Sequence, residues 1–217
     1  MQNSRYFYGT PTNTFYFEGL RFYRGKEYFF RDSSSLNYAI FLDNIFDTLT
    51  IEREGYNSNQ GLYFTMEDST GHYFTFQGNT VLNFSGGAQG LGSFYIQKNL
   101  LIENNHWHSF GSSDSSVGNN ILTFKYDVDN ITLRGNIVDA EGSGYRIMGS
   151  SLNGFFGDSE KIEILYNFFN MGEIEFNRRG SGYMPQGITW FYRNTVRGGN
   201  VTMVELDYPS SCDGPWY

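Results

Sequence analysis

The chain has 217 residues and a formal charge of −8; 19% of its residues are aromatic, and it holds 26 Gly but only 4 Pro. Its 15 basic residues are scattered, with no run longer than Arg178–Arg179, so no nucleic-acid footprint is visible, and the acidic balance weakly repels polyanions. No run of 18 apolar residues marks a membrane-inserted helix, Met1–Tyr6 lacks the apolar core of a secretory signal, and the single cysteine, Cys212, has no internal disulfide partner.

Aromatic and β-branched residues suit strands, glycine suits sharp bends, and no segment repeats apolar residues at i, i+3, i+4 and i+7. An all-β protein is therefore expected. Along the chain one pattern recurs: an apolar-x-apolar strand, two residues, Asn, any residue, then an apolar residue. A degenerate copy runs from Phe15 to Phe22, and a second from Leu49 to Tyr56 with Glu54 in the Asn slot. Full copies follow at Phe74–Val81, Leu100–Trp107, Ile131–Val138, Ile162–Phe169 and Thr189–Val196. Earlier short strands are expected at Ala39–Leu42, Leu62–Thr65, Ser93–Ile96, Ile121–Phe124 and Glu173–Phe176. The segments between strands are rich in Gly, Ser, Asn and Asp, as bends should be.

One structure accounts for these features. A single coil buries one apolar face per strand and is not stable alone, so coils must stack. Stacking aligns Ile51, Phe76, Ile102, Leu133, Ile164 and Phe191 in an inward column. Asn79, Asn105, Asn136, Asn167 and Asn194 then form a file at the bend, where Asn tolerates left-handed backbone and its amide bonds its copies above and below. The expected fold is a right-handed parallel β-helix of about seven coils, one domain over 1–217 with its repeat core over about 14–205. An antiparallel β-sandwich is the alternative, but it leaves the recurring asparagine unexplained. The ends read as uncapped, so a fragment of a longer helix, or an assembly of copies covering the ends, is expected.

The phrases Asn130–Asn136 and Trp190–Val196 resemble coils of the pectate-lyase-like right-handed parallel β-helix superfamily. That resemblance implies a solenoid, in an extracellular or virion-associated setting. It also implies a polysaccharide partner, handled by lyase, hydrolase, tailspike or adhesin members. Fold alone does not choose among them.

Register gives an outward ladder of Glu52, Gln77, Glu103, Arg134, Leu165 and Tyr192, preceded by Thr50, Thr75, Leu101, Thr132, Glu163 and Trp190. Glu103, Arg134 and Glu163 form either a surface ion-pair ladder of little energetic weight or the floor of a saccharide groove, with Trp190 and Tyr192 as stacking platforms. On Glu173–Arg179 the two carboxylates of Glu173 and Glu175 alternate with apolar residues and suit Ca²⁺, which takes oxygen ligands. This strand is similar to that of chondroitinase B- and alginate-lyase-type β-helices, where two such Glu bind calcium and a Lys follows five residues after the second. Here that position is Gly180, with Arg178 and Arg179 close by and out of register. The resemblance implies a catalytic set of Glu175, Arg178, Lys125 and Arg146, the last two on preceding coils. His106 and His108 flank an inward Trp107 as a metal pair or as exposed bend residues, and Asp127 and Asp129 shape a bend or hold a weak calcium ion. Two functions follow: a carbohydrate-active segment that binds or cleaves polysaccharide, or a non-catalytic structural or adhesive stalk.

Overall fold

The computed structural model describes residues 7–8, 14–23, 30–32, 38–48, 50–51, 64–67, 73–86, 92–95, 98–110, 119–125, 129–139, 145–151, 161–170, 173–178, 188–197 and 200–202. These residues form an all-β solenoid in which every strand pairing is parallel. The chain visits three sheets in the same cyclic order. The first sheet takes Phe7–Tyr8, Phe30–Asp32, Phe64–Glu67, Gly92–Tyr95, Asn119–Lys125, Tyr145–Ser151, Glu173–Arg178 and Asn200–Thr202. The second takes Thr14–Glu18, Tyr38–Leu42, Tyr73–Gln77, Lys98–Glu103, Asp129–Arg134, Lys161–Leu165 and Ile188–Tyr192. The third takes Arg21–Tyr23, Ile45–Asp47, Thr80–Gly86, His106–Phe110, Ile137–Asp139, Phe168–Asn170 and Thr195–Arg197, with Thr50–Ile51 paired beside Ser85–Gly86.

Strand alternation sends every second side chain inward. Two inward files come from the second sheet: Ala39, Phe74, Leu100, Ile131, Ile162, and then Phe41, Phe76, Ile102, Leu133, Ile164. A third file, Phe46, Val81, Trp107, Val138, Phe169, comes from the third sheet. All fifteen are buried. Parallel strands lie about 4.8 Å apart, which is also the distance at which flat rings stack. Phe17 and Phe41 accordingly stack at 5.2 Å, and Phe22 and Phe46 at 5.0 Å. The second-sheet core files change from Phe41, Phe74 and Phe76 to Leu and Ile from Leu100 on, while the third-sheet file keeps Trp107 and Phe169 among valines.

Between the second and third sheets runs the asparagine file. Asn79 donates from both its backbone N and its Nδ2 to Asn105 Oδ1, at 2.8 and 3.2 Å. Asn105 does the same to Asn136, Asn136 to Asn167, and Asn167 to Asn194. Each Nδ2 also donates backward to a core-residue carbonyl, as Asn136 does to Ile102 O at 2.8 Å. Asn79, Asn105, Asn136 and Asn167 are buried with these bonds made, as buried polar groups require.

Three expectations need correction. The rung before Asn79 is Asn44, not Glu54: Asn44 donates to Asn79 Oδ1 from its N at 2.9 Å and its Nδ2 at 3.0 Å. The strand Tyr38–Leu42 therefore belongs to the second sheet, and Phe41 replaces Ile51 in the inward column. Leu42 and Ile40 take the outward places expected of Glu52 and Thr50, while Thr50–Ile51 pairs at the far end of the third sheet. Left-handed backbone falls on the residue before each rung, not on the rung itself: Gly19, Asp43, Gly78, Asn104, Gly135, Tyr166 and Arg193 all have φ between 52 and 67°. Glu52, Glu54, Asp127, Arg179, Gly180 and Cys212 lie outside the described residues.

Candidate functional site

The outward face of the second sheet carries the exposed chemistry. Its last file runs Glu18, Leu42, Gln77, Glu103, Arg134, Leu165, Tyr192, and its middle file Tyr16, Ile40, Thr75, Leu101, Thr132, Glu163, Trp190. Glu103, Arg134 and Tyr192 thus share one file, and Glu163 and Trp190 the next, as the register of the repeat implies.

The charges resolve into two pairs. Arg134 donates from Nε and Nη2 to Glu103 Oε1, both at 2.7 Å. This hydrogen bond, with the charge of Glu103, raises the Arg134 pKa above its ordinary value. Glu163 instead accepts from Lys161 Nζ at 2.7 Å and from Thr132 Oγ1 at 3.3 Å. Lys161 reaches it because residues two apart on a strand share a face.

Beyond these pairs lies an aromatic patch. Trp190, Tyr192 and Tyr166 are each about half exposed. Tyr166 and Tyr192 meet edge to face at 5.9 Å. The Arg193 guanidinium sits 5.1 Å from the Tyr192 ring centre and 5.9 Å from that of Tyr166, within the range of cation–π attraction. Sequence reasoning missed Lys161, Tyr166 and Arg193. The signal for the last two was their shared place, each one residue before a ladder asparagine. A second aromatic patch lies at the other end of the same sheet, where Tyr38 and Tyr73 stack at 5.1 Å and Tyr16 donates to Glu18 Oε2 at 2.7 Å.

The remaining candidates sit elsewhere. In the first sheet Glu173 and Glu175 flank buried Ile174. Backbone register puts Arg146 opposite Glu173, Met148 opposite Glu175 and Ser151 opposite Arg178. Lys125 lies opposite Ser150, in the file that continues to Asn177. The side chains of Glu173, Glu175, Arg178, Lys125 and Arg146 lie outside the described residues. Two carboxylates fall short of the six to eight oxygens that calcium takes. Among the described residues no three His, Cys, Asp or Glu side chains converge as metal ligands.

On the third sheet His106 and His108 flank buried Trp107, with ring centres 5.6 Å apart. His108 Nδ1 lies 3.7 Å from Asp139 Oδ2, and Asn170 Nδ2 donates to Asp139 Oδ1 at 2.7 Å. His108, Asp139 and Asn170 share one outward file of this sheet. Comparison with protein-family models, curated proteins and solved structures finds no match to the chain.

Proposed function

We propose that the chain is a right-handed, pectate-lyase-like β-helix of about seven coils, matching the seven strands of its second sheet, and that the second-sheet face binds a polysaccharide. The reading is carried by one observation: Trp190, Tyr192 and Tyr166 stand half exposed beside the Lys161–Glu163 and Arg134–Glu103 pairs. A sugar ring has an apolar C–H face and a rim of hydroxyls. Flat aromatic rings on a rigid sheet match the first, and fixed charged groups match the second. Because Trp190 and Tyr192 stand on one strand and Tyr166 in the bend that follows its paired neighbour, all fixed by backbone pairing, little backbone order is lost on binding. Binding is the activity that these described side chains support.

The test is calorimetric titration of the intact chain with a panel of oligosaccharides. Trp190→Ala and Tyr192→Ala are each expected to weaken binding about tenfold, the loss typical of an aromatic anchor. Thr75→Ala, on the same face far from the patch, should leave it unchanged. Absence of binding across the panel, or equal loss in all three variants, rejects the reading. A stalk whose outward face is buried between copies would show no glycan binding and a concentration-dependent mass in solution.

A further inference from the structure

The residue before each ladder asparagine follows a rule of its own. Along the file the occupants are Gly19, Asp43, Gly78, Asn104, Gly135, Tyr166 and Arg193, all with positive φ. Up to Tyr166, glycine alternates with a larger residue, and the larger side chain covers the glycine of the next turn. A Cβ on Gly78 would run into the Asp43 carboxylate, and one on Gly135 into the Asn104 carboxamide. By the alternation and by backbone conformation, the position after Tyr166 is the next place for glycine. Arg193 stands there instead, at φ 53°.

Non-glycine residues held in left-handed backbone are strained, and such strain gathers at binding sites. Here it falls on two consecutive turns, at the corner where the aromatic patch lies. The Arg193 side chain is exposed. Arg134 and Lys161 are each paired with a carboxylate, whereas among the described residues no carboxylate pairs with Arg193. Its guanidinium lies beside Tyr166 and Tyr192. An exposed guanidinium that no described carboxylate engages keeps its N–H fork to offer, the group that grips a planar oxyanion with two parallel hydrogen bonds.

We infer that Arg193, held by Tyr166 and Tyr192, is an oxyanion-reading position that makes the saccharide face prefer glycans bearing a carboxylate or a sulfate. This rests on the saccharide reading of that face. The chain's net charge of −8 works against any diffuse attraction for a polyanion, so the preference must come from a local contact.

The experiment compares cellulose oligosaccharides of one length in three forms, namely neutral, oxidised to carboxylate at C6, and sulfated at C6, against the intact chain and two variants. For the wild type, at least one anionic form should bind about tenfold more tightly than the neutral one, the worth of a charge-assisted hydrogen bond. Arg193→Gly should erase that preference, bringing anionic binding down to the level of neutral binding in the same variant. Its melting temperature should equal or exceed that of the wild type, because it restores the residue the backbone favours. Arg193→Lys should keep only part of the preference, since a point charge replaces the fork. Whether the carboxylated or the sulfated arm shows the larger effect identifies the anion. Equal binding of all three forms, or equal loss of neutral and anionic binding in Arg193→Gly, overturns the inference and leaves the saccharide face standing. No binding of any form overturns both.

Discussion

Asn136 Oδ1 accepts two hydrogen bonds from Asn105, while Asn136 Nδ2 donates to Ile102 O and Asn167 Oδ1. Its removal strands donors and acceptors on both sides in a place water does not reach. Asn136→Ala is expected to destabilise the fold by about 3 kcal/mol, since each orphaned buried group costs roughly 1–3 kcal/mol. Asn194→Ala, at a half-buried rung, should cost clearly less. Urea unfolding of both variants checks this, and a loss under about 1 kcal/mol for Asn136→Ala would show that the rung is not a structural requirement. At this scale the repeat was legible because a side-chain amide both donates and accepts, and so can bond its copies along a stack. What stayed hidden was the division of labour within the Asn104–Asn105 pair. Asparagine also tolerates left-handed backbone, so sequence alone left unclear which of two adjacent residues makes the bend. The neighbours Gly78, Gly135, Tyr166 and Arg193 share no side-chain property, only a φ.

The third-sheet strand Ile45–Asp47 shows how an element ends. Asp47 follows inward Phe46 and faces outward, yet its side chain is only 7% exposed. It accepts from Arg21 Nη2 at 2.6 Å, Asn83 Nδ2 at 2.9 Å and Thr48 Oγ1 at 3.0 Å. Thr48 and Asn83 are themselves left-handed, and Thr48 N bonds Leu82 O, so the carboxylate anchors a second stacked bend. The Asn83 hydrogen bond, followed by that of Arg21, holds Asp47 below its ordinary pKa. A depressed carboxylate contributes stability above its unfolded pKa and loses it as pH falls through the folded value. The Asp47 contribution should therefore hold through neutral pH and be lost in acid, as pH falls from the usual carboxylate range through the lower folded value. Asp47→Asn should be less stable at neutral pH, and its stability should fall less steeply in acid. Urea midpoints across the acid range for both chains test this; parallel curves would remove Asp47 from the acid response. The element before this bend is the one that pattern reading misplaced. Ala39–Phe46 fits the repeat fully, but its asparagine lies 35 residues before the next, whereas later rungs lie 26 to 31 apart. A weaker copy at regular spacing, Leu49–Tyr56, took its place. The strands Tyr145–Ser151 and Asn200–Thr202 were unreadable for another reason: few apolar residues alternate in them, and parallel neighbours supply the register.

For the molecule as a whole, stability is a sum over turns and their contacts with adjacent turns. Rungs with neighbours on both sides should open only with those neighbours, while edge strands open alone. Amide exchange of the chain should therefore be slowest at Asn105, Gly135 and Asn136, whose hydrogens are bonded across adjacent turns. Leu20, just before the outermost strand Arg21–Tyr23, and Thr195, in the strand at the opposite edge of the third sheet, should exchange at least about tenfold faster. Uniform rates would indicate a single all-or-none unit. The saccharide face was half legible at this scale. Register in the repeat was enough to align Glu103, Arg134, Glu163, Trp190 and Tyr192, but the partner of each charge depended on rotamers and on Lys161. Finally, the asparagine file has a direction. From Asn44 to Asn194 every forward bond runs from an amide nitrogen to the next carboxamide oxygen, never the reverse. The bond dipoles add along the axis, as in a row of magnets laid north to south. Two such solenoids brought nose to nose would oppose donor to donor or acceptor to acceptor, whereas nose to tail the row continues unbroken; the polarity of a single file of amides thus dictates which way round any further turn must join.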